Sequence, residues 1–429
     1  MLTAPPFLVA LLESPVAVMG AGVSGKAAAA LIERLGGSVE FYDHAEGQGV
    51  KTTFEAGPHQ LVIYSPGIEP GNSWLLDARS AGLVCLSEID FASLFWRGEV
   101  IAITGTNGKS TLTEFLTTAL KSADKDAWAV GNIGFAFSQL VAEREGGAPD
   151  SIAVCEVSSF QTEALRHFRA NAAIWTNFAE DHLERHQTME GYFMAKWRLF
   201  ERAIGGQVFA GSSVARAAEA FGQSLPEGAV IDTEDPAGDV LLRETIFEDQ
   251  PHRENFLLAA AWWRAAGLRE PVLYAAAQQF QVGPHRLVKV AEAEGVAWWD
   301  DSKATNFHAT EAALARFGSP VVLIAGGKSK GGDITGFVDR IKAEVKAVAL
   351  IGETRSILAT LFGAAGVPHR VCGDMAEAVA FANETSVAGD SVLLSPGFSS
   401  LDHFSGYAER GEAFLHEITK QGAAGAVIT

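Results

Sequence analysis

The sequence predicts an α/β protein with more than one parallel β-sheet. Short apolar runs rich in Val, Ile and Ala alternate with segments of helical periodicity along the chain, which is typical of parallel strands joined by helices. At 429 residues, the chain is too long for one ordinary core. Three blocks emerge: one up to about residue 95, one from there to about Gly283, and one from Pro284 onward.

The composition argues against several classes of function. A formal net charge of −19 disfavours a nucleic-acid-binding surface, and no apolar run is long enough to span a bilayer. The first 19 residues are apolar, but they lack a basic segment and contain three prolines, so we expect no signal peptide. Three distant cysteines favour reduced thiols and a cytoplasmic location over disulfides or a zinc site; they are Cys85, Cys155 and Cys372.

The first block has a pattern typical of half a dinucleotide-binding unit. In chain order, its predicted elements are the strand Val16–Met19, a Gly-rich turn at 20–25, a helix to Leu35, and the strands Val39–Tyr42 and Leu61–Tyr64. The second of these strands ends at Asp43, and the third ends in Ser65-Pro66-Gly67. Both ends should lie at the carboxyl edge of one sheet, where such folds bind ligands. A glycine turn of this kind also suggests an NAD-dependent dehydrogenase.

The second block opens with a segment typical of a nucleotide-phosphate loop. An apolar strand at 100–103 leads into a turn and a helical pattern, and the turn and helix start comprise Gly105, Thr106, Asn107, Gly108, Lys109, Ser110 and Thr111. Backbone N–H groups and the helix dipole would cradle phosphate oxygens. Lys109 can reach the terminal phosphates, and Ser110 or Thr111 can hold Mg²⁺. Because Ile103 stands where G-x-x-x-x-G-K-S/T has its first Gly, an ordinary strand–turn–helix junction stays open as the alternative.

Polar positions that follow the loop are candidates for metal binding. Glu156 ends a buried strand, and a carboxylate beside a phosphate loop is a natural Mg²⁺ ligand. The cluster Glu180-Asp181-His182 follows the next strand, and we select His182 as a second ligand over a solvated loop or a zinc site. Lys196 falls inside the apolar stripe of a helix at 192–200, where it either snorkels to solvent or is desolvated.

Three polar loops of the third block each follow a predicted strand. The predicted strands of this block are at 296–299, 321–325, 347–351 and 392–394, and the loops are at 300–306, 326–333 and 395–402. Each loop alone could be a surface turn. Because they follow parallel strands, we expect all three at one sheet edge, where together they would form an anion-binding rim. The segment from about 213 to 250 is polar and irregular, and the sequence assigns it no role.

Together these motifs resemble those of the Mur ligase family of ATP-dependent amide-bond-forming enzymes, over essentially the whole chain. The resemblance rests on the segments 104–111, 131–134, 156–161, Asp181-His182, Lys196, His285-Arg286 and 301–306. Within the family, the segments at 65–68, 156–161 and 393–411 are similar to those of members that use glutamate. The Asp-Asn-Pro-Arg segment of the diaminopimelate-adding members is absent from the sequence.

The resemblance implies three α/β domains and one reaction. The domains would be a Rossmann-like UDP-sugar-binding domain at 1–95, a central P-loop ATPase domain with a parallel sheet at 96–283, and a C-terminal Rossmann-like amino-acid-binding domain at 284–429. The reaction would join D-glutamate to UDP-N-acetylmuramoyl-L-alanine through an acyl phosphate, in cytoplasmic peptidoglycan precursor synthesis. ATP and two Mg²⁺ ions are the expected cofactors. We expect a monomer with no nucleic-acid or membrane partner.

The resemblance also implies roles for individual residues. Catalytic roles are expected for Lys109, Asn132, His182 and Lys196. The expected Mg²⁺ ligands are Ser110, Glu156, His182 and Lys196, the last as a carbamate that would turn a misplaced cation into an anionic ligand. Besides the loop at 105–111, ATP would contact Asn255, Arg286, Asp301 and Lys303. UDP would contact Gly22, Val23, Ser24, Asp43, Ser65 and Gly67, and glutamate would contact Thr305, Lys330, Ser400 and Tyr407. Ser158 and Gln161 are also expected to contact substrate.

Two departures from the family pattern and three alternatives stay open. Pro251-His252 stand where the family usually has His-Asn, so a contact to adenine is either made by His252 or lost, and Tyr407 stands where Phe is common. A related Mur-family ligase that uses another amino acid, L-glutamate, stays open because the two enantiomers carry the same charges. A folylpolyglutamate synthase-like ligase would lack the first block. A non-catalytic UDP-sugar-binding module is the third alternative, and the presence of Lys109, Glu156, His182 and Lys196 together argues against it.

Overall fold

A computed structural model describes residues 2–234 and 238–421, with the backbone of 426–427. Within this part of the chain, three β-sheets are flanked by helices, which confirms the predicted α/β class. The chain forms two compact units. The first unit comprises Met1–Phe178, Glu190–Thr245 and Glu254–Phe280, and the second comprises Ala179–Met189, Ile246–Arg253 and Gln281–Thr429.

The first sheet belongs to the first unit and has five parallel strands in the order β3-β2-β1-β4-β5. Its strands are β1 (Val16–Met19), β2 (Val39–Tyr42), β3 (Val50–Lys51), β4 (Leu61–Tyr64) and β5 (Val84–Ser87). Its helices are α1 (Pro6–Val9), α2 (Val23–Arg34), α3 (Ser73–Ser80) and α4 (Glu88–Ser93). The strand order reverses between β1 and β4, and the predicted turns follow these two strands.

The second sheet also belongs to the first unit and has five parallel strands in the order β10-β9-β6-β8-β7. Its strands are β6 (Glu99–Thr104), β7 (Ala127–Gly131), β8 (Ile152–Glu156), β9 (Ala172–Trp175) and β10 (Val208–Ala210). The predicted phosphate loop leaves the central strand β6, so the ends of β8 and β9 flank it. One continuous apolar core packs the helices of the first two sheets together.

The helices of the second block include one that the sequence analysis missed. They are α5 (Lys109–Ser122), α6 (Phe137–Glu143), α7 (Ser159–Thr162), α8 (Leu183–His186), α9 (Met189–Phe200), α10 (Ser212–Ala220), α11 (His252–Ala265) and α12 (Glu270–Gln279). The interpretation of 213–250 as irregular is wrong for α10, which buries Val214 and Ala218 one helical turn apart. Residues 235–237 of that segment lie outside the described residues.

The third sheet belongs to the second unit and has seven strands in the order β15-β14-β13-β16-β12-β11-β17. They are β11 (Val288–Ala293), β12 (Val296–Asp300), β13 (Val321–Gly326), β14 (Val345–Ile351), β15 (His369–Val371), β16 (Ser391–Leu394) and β17 (Ala426–Val427). Its helices are α13 (Phe307–Leu314), α14 (Ile334–Ile341), α15 (Arg355–Ala364), α16 (Met375–Thr385) and α17 (Tyr407–Lys420). The strands β12, β16 and β13 are parallel neighbours. The three polar loops therefore share one edge, as predicted.

No helix in the described ranges has the length and apolar character needed to cross a membrane.

Two buried carboxylates on α4 tie the first sheet to the second. Oδ1 of Asp90, which is fully buried, accepts hydrogen bonds of 2.8 Å from the backbone N–H groups of Arg166, His167 and Phe168. Two residues earlier on α4, a carboxylate oxygen of Glu88 accepts a 2.6 Å bond from the N–H of Ser138 at the start of α6. Burial raises the pKa of Glu88. These bonds fix the backbone of the second sheet against a helix of the first.

We expect Asp90→Ala to destabilise the first unit. The substitution removes the acceptor of three backbone N–H groups, of which that of Phe168 belongs to a buried residue, and a buried group left unsatisfied costs about 1–3 kcal/mol. The expected loss is on the order of 3 kcal/mol, and differential scanning calorimetry should show a clearly lower Tm. Asp77→Ala, at an exposed position of α3, is the matched control. Equal Tm values for the two variants would contradict the assigned role of Asp90.

Candidate active site

The loop between β6 and α5 is held by close backbone contacts in the first unit. Gly105 and Gly108 have φ angles of 152° and 79°. A Cβ on Gly105 would lie 1.8 Å from Thr176 Oγ1, and one on Gly108 would lie 2.5 Å from Asn255 Oδ1. Only glycine fits both positions. The loop then enters α5 at Lys109, where the N–H groups of a helix start point outward and favour anions.

Asn177 binds the same loop from the end of β9. Its backbone carbonyl accepts a 3.0 Å hydrogen bond from the N–H of Thr106, and its side-chain Oδ1 accepts a 2.8 Å bond from the N–H of Asn107. The hydroxyl of Thr176 donates a 2.6 Å bond to the carbonyl of Asn107. Sequence reasoning did not assign these two residues a role, although they precede the acid–imidazole cluster that it selected.

Two lysines lie at the loop. Lys109 Nζ donates to the carbonyls of Gly105 and Thr106 at 2.9 and 2.8 Å. Lys196 is only 1% exposed, so it does not snorkel to solvent. Its Nζ donates a 2.7 Å bond to the carbonyl of Gly105 and lies 4.8 Å from the ring centroid of Tyr192. The structure thus brings both predicted lysines to one turn of backbone.

Glu156 ends β8 directly beside the loop strand, where it pairs in register with Ile103. It is 1% exposed, and its Oε1 accepts a 2.9 Å hydrogen bond from Asn132 Nδ2. Its Oε2 is buried and has no hydrogen-bond partner among the described residues. A buried carboxylate oxygen without a partner is costly unless a cation binds it. This arrangement fits the predicted Mg²⁺ ligand and brings Asn132 to the same carboxylate.

Ser158 and Gln161, which we expected to contact substrate, engage each other at the start of α7. They form a capping box, in which the N–H of Ser158 donates to Gln161 Oε1 at 2.9 Å and the N–H of Gln161 donates to Ser158 Oγ at 3.3 Å. The box fixes the backbone that follows Glu156.

The predicted uridine positions come together at the carboxyl ends of β1, β2 and β4. Asp43 Oδ2 accepts a 2.7 Å hydrogen bond from the N–H of Ala21, and its Oδ1 accepts one from Ala45; these bonds lower the pKa of Asp43. Ser65 Oγ donates to the carbonyl of Gly20 at 3.4 Å. At this edge lie Gly22, Val23, Ser24, Asp43, Ser65 and Gly67.

In the second unit, Asp181 binds two residues that follow β12 and β13. Its Oδ1 accepts a 3.2 Å hydrogen bond from Lys330 Nζ, and its Oδ2 accepts a 3.0 Å bond from Asn306 Nδ2. Lys330 also donates to Thr305 Oγ1 at 3.1 Å. Burial opposes ionisation of Asp181, but the charge of Lys330 and these bonds hold its pKa below the usual value. Lys330 and Thr305, both predicted for glutamate, are therefore in contact.

His182 is the first residue before α8 and also belongs to the second unit. Its φ of 53° is left-handed, and its Nδ1 lies 3.3 Å from Glu184 Oε1. Burial lowers the pKa of His182, although the Asp181 carboxylate acts in the opposite direction. A neutral imidazole is the form that binds metal ions.

The buried Arg410 binds two loops that carry further predicted residues of the second unit. This guanidinium donates to the carbonyl and Oγ of Ser302 at 2.8 and 3.1 Å and to the carbonyl of Phe398 at 3.0 Å. Burial lowers its pKa to about 10. Lys303 Nζ lies 5.3 Å from the ring centroid of Tyr407. Arg410 thus ties together the loops that carry Lys303 and the buried Ser400. Sequence reasoning missed Arg410; the one signal for it was an arginine at a position on the buried face of α17.

His285 and Asp301 are each held by a hydrogen bond to a polar side chain of the same unit. A 2.6 Å hydrogen bond joins His285 Nδ1 to Asp300 Oδ2 and raises the pKa of the imidazole. Asp301 Oδ2 accepts a 2.8 Å bond from Ser395 Oγ, and burial raises its pKa well above the usual range. Arg286, which follows His285 in the chain, lies in the turn that precedes β11.

Two positions near the start of α11 hold unpartnered polar atoms. Asn255, in the first unit, is 2% exposed, and its Oδ1 faces Gly108 without a hydrogen-bond partner among the described residues. His252, in the second unit, is buried, which lowers its pKa to about 4, and its Nε2 likewise lacks a partner among these residues. Asn255 therefore joins the loop residues, as expected for a nucleotide contact.

Comparison with known proteins identifies the family. The model of the Mur ligase middle domain matches residues 103–220, and that of the Mur ligase glutamate ligase domain matches residues 285–398. Relatives named UDP-N-acetylmuramoylalanine–D-glutamate ligase are 32% identical in Salinibacter ruber and 33% identical in Pelotomaculum thermopropionicum. These alignments cover 92% and 93% of this chain and 96% of each relative. The chain belongs to the Mur ligase family.

This Mur ligase is therefore an ATP-dependent amide-bond-forming ligase. Its fold resembles that of UDP-N-acetylmuramate-alanine ligase MurC from Thermotoga maritima, with a TM-score of 0.58 and 15% identity over 95% of this chain and 100% of that chain. A pseudomurein peptide ligase type C from Methanothermus fervidus gives a TM-score of 0.59 and 14% identity over 96% and 100% of the two chains. E. coli FolC gives 0.52 and 20% identity over 77% and 91%. At these identities the likeness concerns the fold alone.

We expect Lys109→Ala to abolish ATP-dependent turnover and to leave the affinity for a uridine nucleotide nearly intact. Stabilisation of a transferring phosphoryl group is typically worth several kcal/mol, whereas the predicted uridine edge lies on a different sheet. Steady-state phosphate release and calorimetric titration with UDP measure the two quantities. Lys125→Ala, at an exposed position just after α5, is the control. Turnover like that of the wild type in Lys109→Ala would refute the role of the loop.

Proposed function

We propose that this protein joins D-glutamate to UDP-N-acetylmuramoyl-L-alanine with consumption of ATP, as a cytoplasmic enzyme of peptidoglycan precursor synthesis. The observation that carries the proposal is the full-length similarity to ligases with this name, at 32–33% identity over 92–94% of the chain. The arrangement of the phosphate loop, Glu156 and Lys196 supports it from the structure.

We assign one ligand to each sheet. Residues 1–95 would bind the UDP-sugar at the edge that carries Asp43 and Ser65, residues 96–283 would bind ATP, and residues 284–429 would bind glutamate. The support is the position of the candidate residues at the carboxyl edge of each parallel sheet, which is where such sheets bind ligands. We expect the protein to act as a monomer.

The proposed reaction proceeds in two steps. An oxygen of the alanyl carboxylate attacks the γ-phosphorus of ATP, which releases ADP and forms an acyl phosphate. The glutamate amine then attacks the acyl carbon, loses a proton and expels phosphate. Lys109 and the N–H groups at the start of α5 would stabilise the charge on the transferring phosphoryl group. Asn132, held by Glu156, would orient phosphate and transition state.

We infer that two Mg²⁺ ions take part in the reaction. Glu156 Oε2 is a buried oxygen without a hydrogen-bond partner among the described residues, and hard oxygen ligands are what Mg²⁺ prefers. Ser110 and Glu156 would hold one ion, and His182 and carbamylated Lys196 the other. The ions would neutralise charge on the phosphate oxygens.

Glutamate would bind at the loops of the third sheet. Lys330 and Thr305, in mutual contact, would hold one carboxylate, and Lys330 would exchange its bond with Asp181 for one with the substrate. Ser400 and the ring of Tyr407 would hold the other end. Arg286, Asp301 and Lys303 would serve ATP from the same unit.

The substrate requirement tests the function directly. Phosphate release should require UDP-N-acetylmuramoyl-L-alanine, D-glutamate and ATP together, and L-glutamate should support far slower turnover. Omission of each substrate in turn is the control. Preference for L-glutamate, or turnover with a folate acceptor but not with the UDP-sugar, would replace the proposal by one of the alternatives.

Lys196 should act as a carbamate. An ammonium about 4 Å from Mg²⁺ would cost on the order of a few kcal/mol at an intermediate dielectric, whereas a carbamate supplies the oxygen that Mg²⁺ prefers. We therefore expect Lys196→Ala to be nearly inactive and to be partly rescued by short carboxylic acids such as acetate. Lys196→Arg keeps a cation that cannot be carbamylated and should stay inactive. Full activity of the arginine variant would show that a plain cation suffices.

A further inference from the structure

Glu254 is a buried carboxylate that none of the roles above uses. It lies in the first turn of α11, between Arg253 and Asn255. Its Oε2 accepts a 2.7 Å hydrogen bond from Asn177 Nδ2, and its Oε1 accepts a 3.1 Å bond from Thr233 Oγ1. Burial raises its pKa to about 7, against the effect of these two bonds. A carboxylate kept in such a place is costly, so its contacts call for an explanation.

The bond to Asn177 fixes the orientation of an amide. A side-chain amide carries an acceptor oxygen and a donor nitrogen of nearly the same shape. Because the carboxylate of Glu254 accepts hydrogen bonds, it selects the nitrogen of Asn177 for its own side. The oxygen of Asn177 then faces the N–H of Asn107 at 2.8 Å. If the amide were flipped, two donors would face each other at the phosphate loop.

Glu254 therefore determines which atom of the Asn177 amide faces the loop backbone. Thr106 and Asn107 both donate their N–H groups to Asn177, and the neighbouring hydroxyl of Thr176 donates to the carbonyl of Asn107. The space behind Glu254 is tight, since a Cβ on Gly211 would lie 3.1 Å from Glu254 Oε1 and 2.1 Å from the carbonyl of Thr176. All of these residues belong to the first unit.

We propose that Glu254 is a positioning residue for nucleotide binding, which acts on the phosphate loop through the side-chain amide of Asn177. It does not touch the phosphates itself. Glu254 also accepts a hydrogen bond from Thr233, which bonds to Ser212 at the start of α10. The inference rests on the proposed function in one respect, namely that the loop binds ATP.

The test compares two replacements of Glu254. Glu254→Gln keeps an acceptor oxygen for Asn177 and can turn its amide N–H toward Thr233, so the orientation of Asn177 survives. Glu254→Met has a similar size but no acceptor, so the amide is free to flip. Calorimetric titration with ADP should show about tenfold weaker binding for Glu254→Met, the effect of losing one well-placed hydrogen bond. Glu254→Gln should stay within about twofold of the wild type.

Thr233→Val is the matched control, because it removes the other hydrogen bond to Glu254 and leaves the bond to Asn177. We expect it to bind ADP like the wild type. In turnover assays, Glu254→Met should raise the KM for ATP, whereas the KM for the UDP-sugar should not change. A purely structural role of Glu254 would lower the Tm without this selectivity. Equal ADP affinity of the Met and Gln variants, or equal weakening by Thr233→Val, would overturn the proposal.

A second pair of variants applies even if Glu254→Met does not fold. Asn177→Asp keeps an oxygen for Asn107 but places a carboxylate against Glu254. Adding Glu254→Gln to this variant supplies an amide N–H that can donate to the new carboxylate. We therefore expect Glu254→Gln to improve ADP binding in the Asn177→Asp background and to leave it nearly unchanged in the wild-type background. Equal effects in the two backgrounds would overturn the proposal. The proposed ligase function fails on different evidence, the absence of turnover in the wild type, and ADP binding is measured independently of it.

Discussion

The hydrogen bonds between Asn177 and the backbone of Thr106 and Asn107 set the position of the phosphate loop. They demand a backbone approach so close that Gly105 cannot carry a Cβ beside Thr176. They also require β9 to lie next to β6 in parallel, because only then do both strands end at the same edge. A glycine at position 105 and the parallel pairing of β9 with β6 are therefore conditions for this contact.

A parallel sheet gathers the ends of its strands at one edge, and this geometry explains why distant segments form each site. Glu156 stands next to the loop because β8 pairs with β6 on the other side. The same rule brings the loops after β12, β13 and β16 together in the third sheet. In that sheet, Arg410 of α17 also connects two of these loops, because its three hydrogen bonds go to Ser302 and Phe398.

The features that could be predicted from the sequence are those marked by a local pattern of apolar and polar residues. The buried strands β1, β4, β6, β8 and β13 are continuous apolar runs, and the polar residues that end them were readily assigned. The short strands β3 and β15 lie at the sheet ends, and β11 pairs antiparallel with β12 through the two-residue turn Glu294-Gly295; none of these has an apolar run that marks it. Glu254 and Asn177 lie 77 positions apart, and no local pattern links them. The domain boundaries and the roles of the site residues stay predictions.

The acidic charge of the whole chain makes local chemistry decisive for its anionic substrates. With a formal net charge of −19, the protein offers no general attraction to phosphates or carboxylates. Each site must therefore hold its anion by short-range donors. The first unit places Lys109 on two carbonyls of the loop, and the second unit holds Lys330 in place with Asp181. In each unit a lysine that we assign to an anionic ligand is held by oxygen atoms of the protein, and we expect the incoming anion to take the place of one of them.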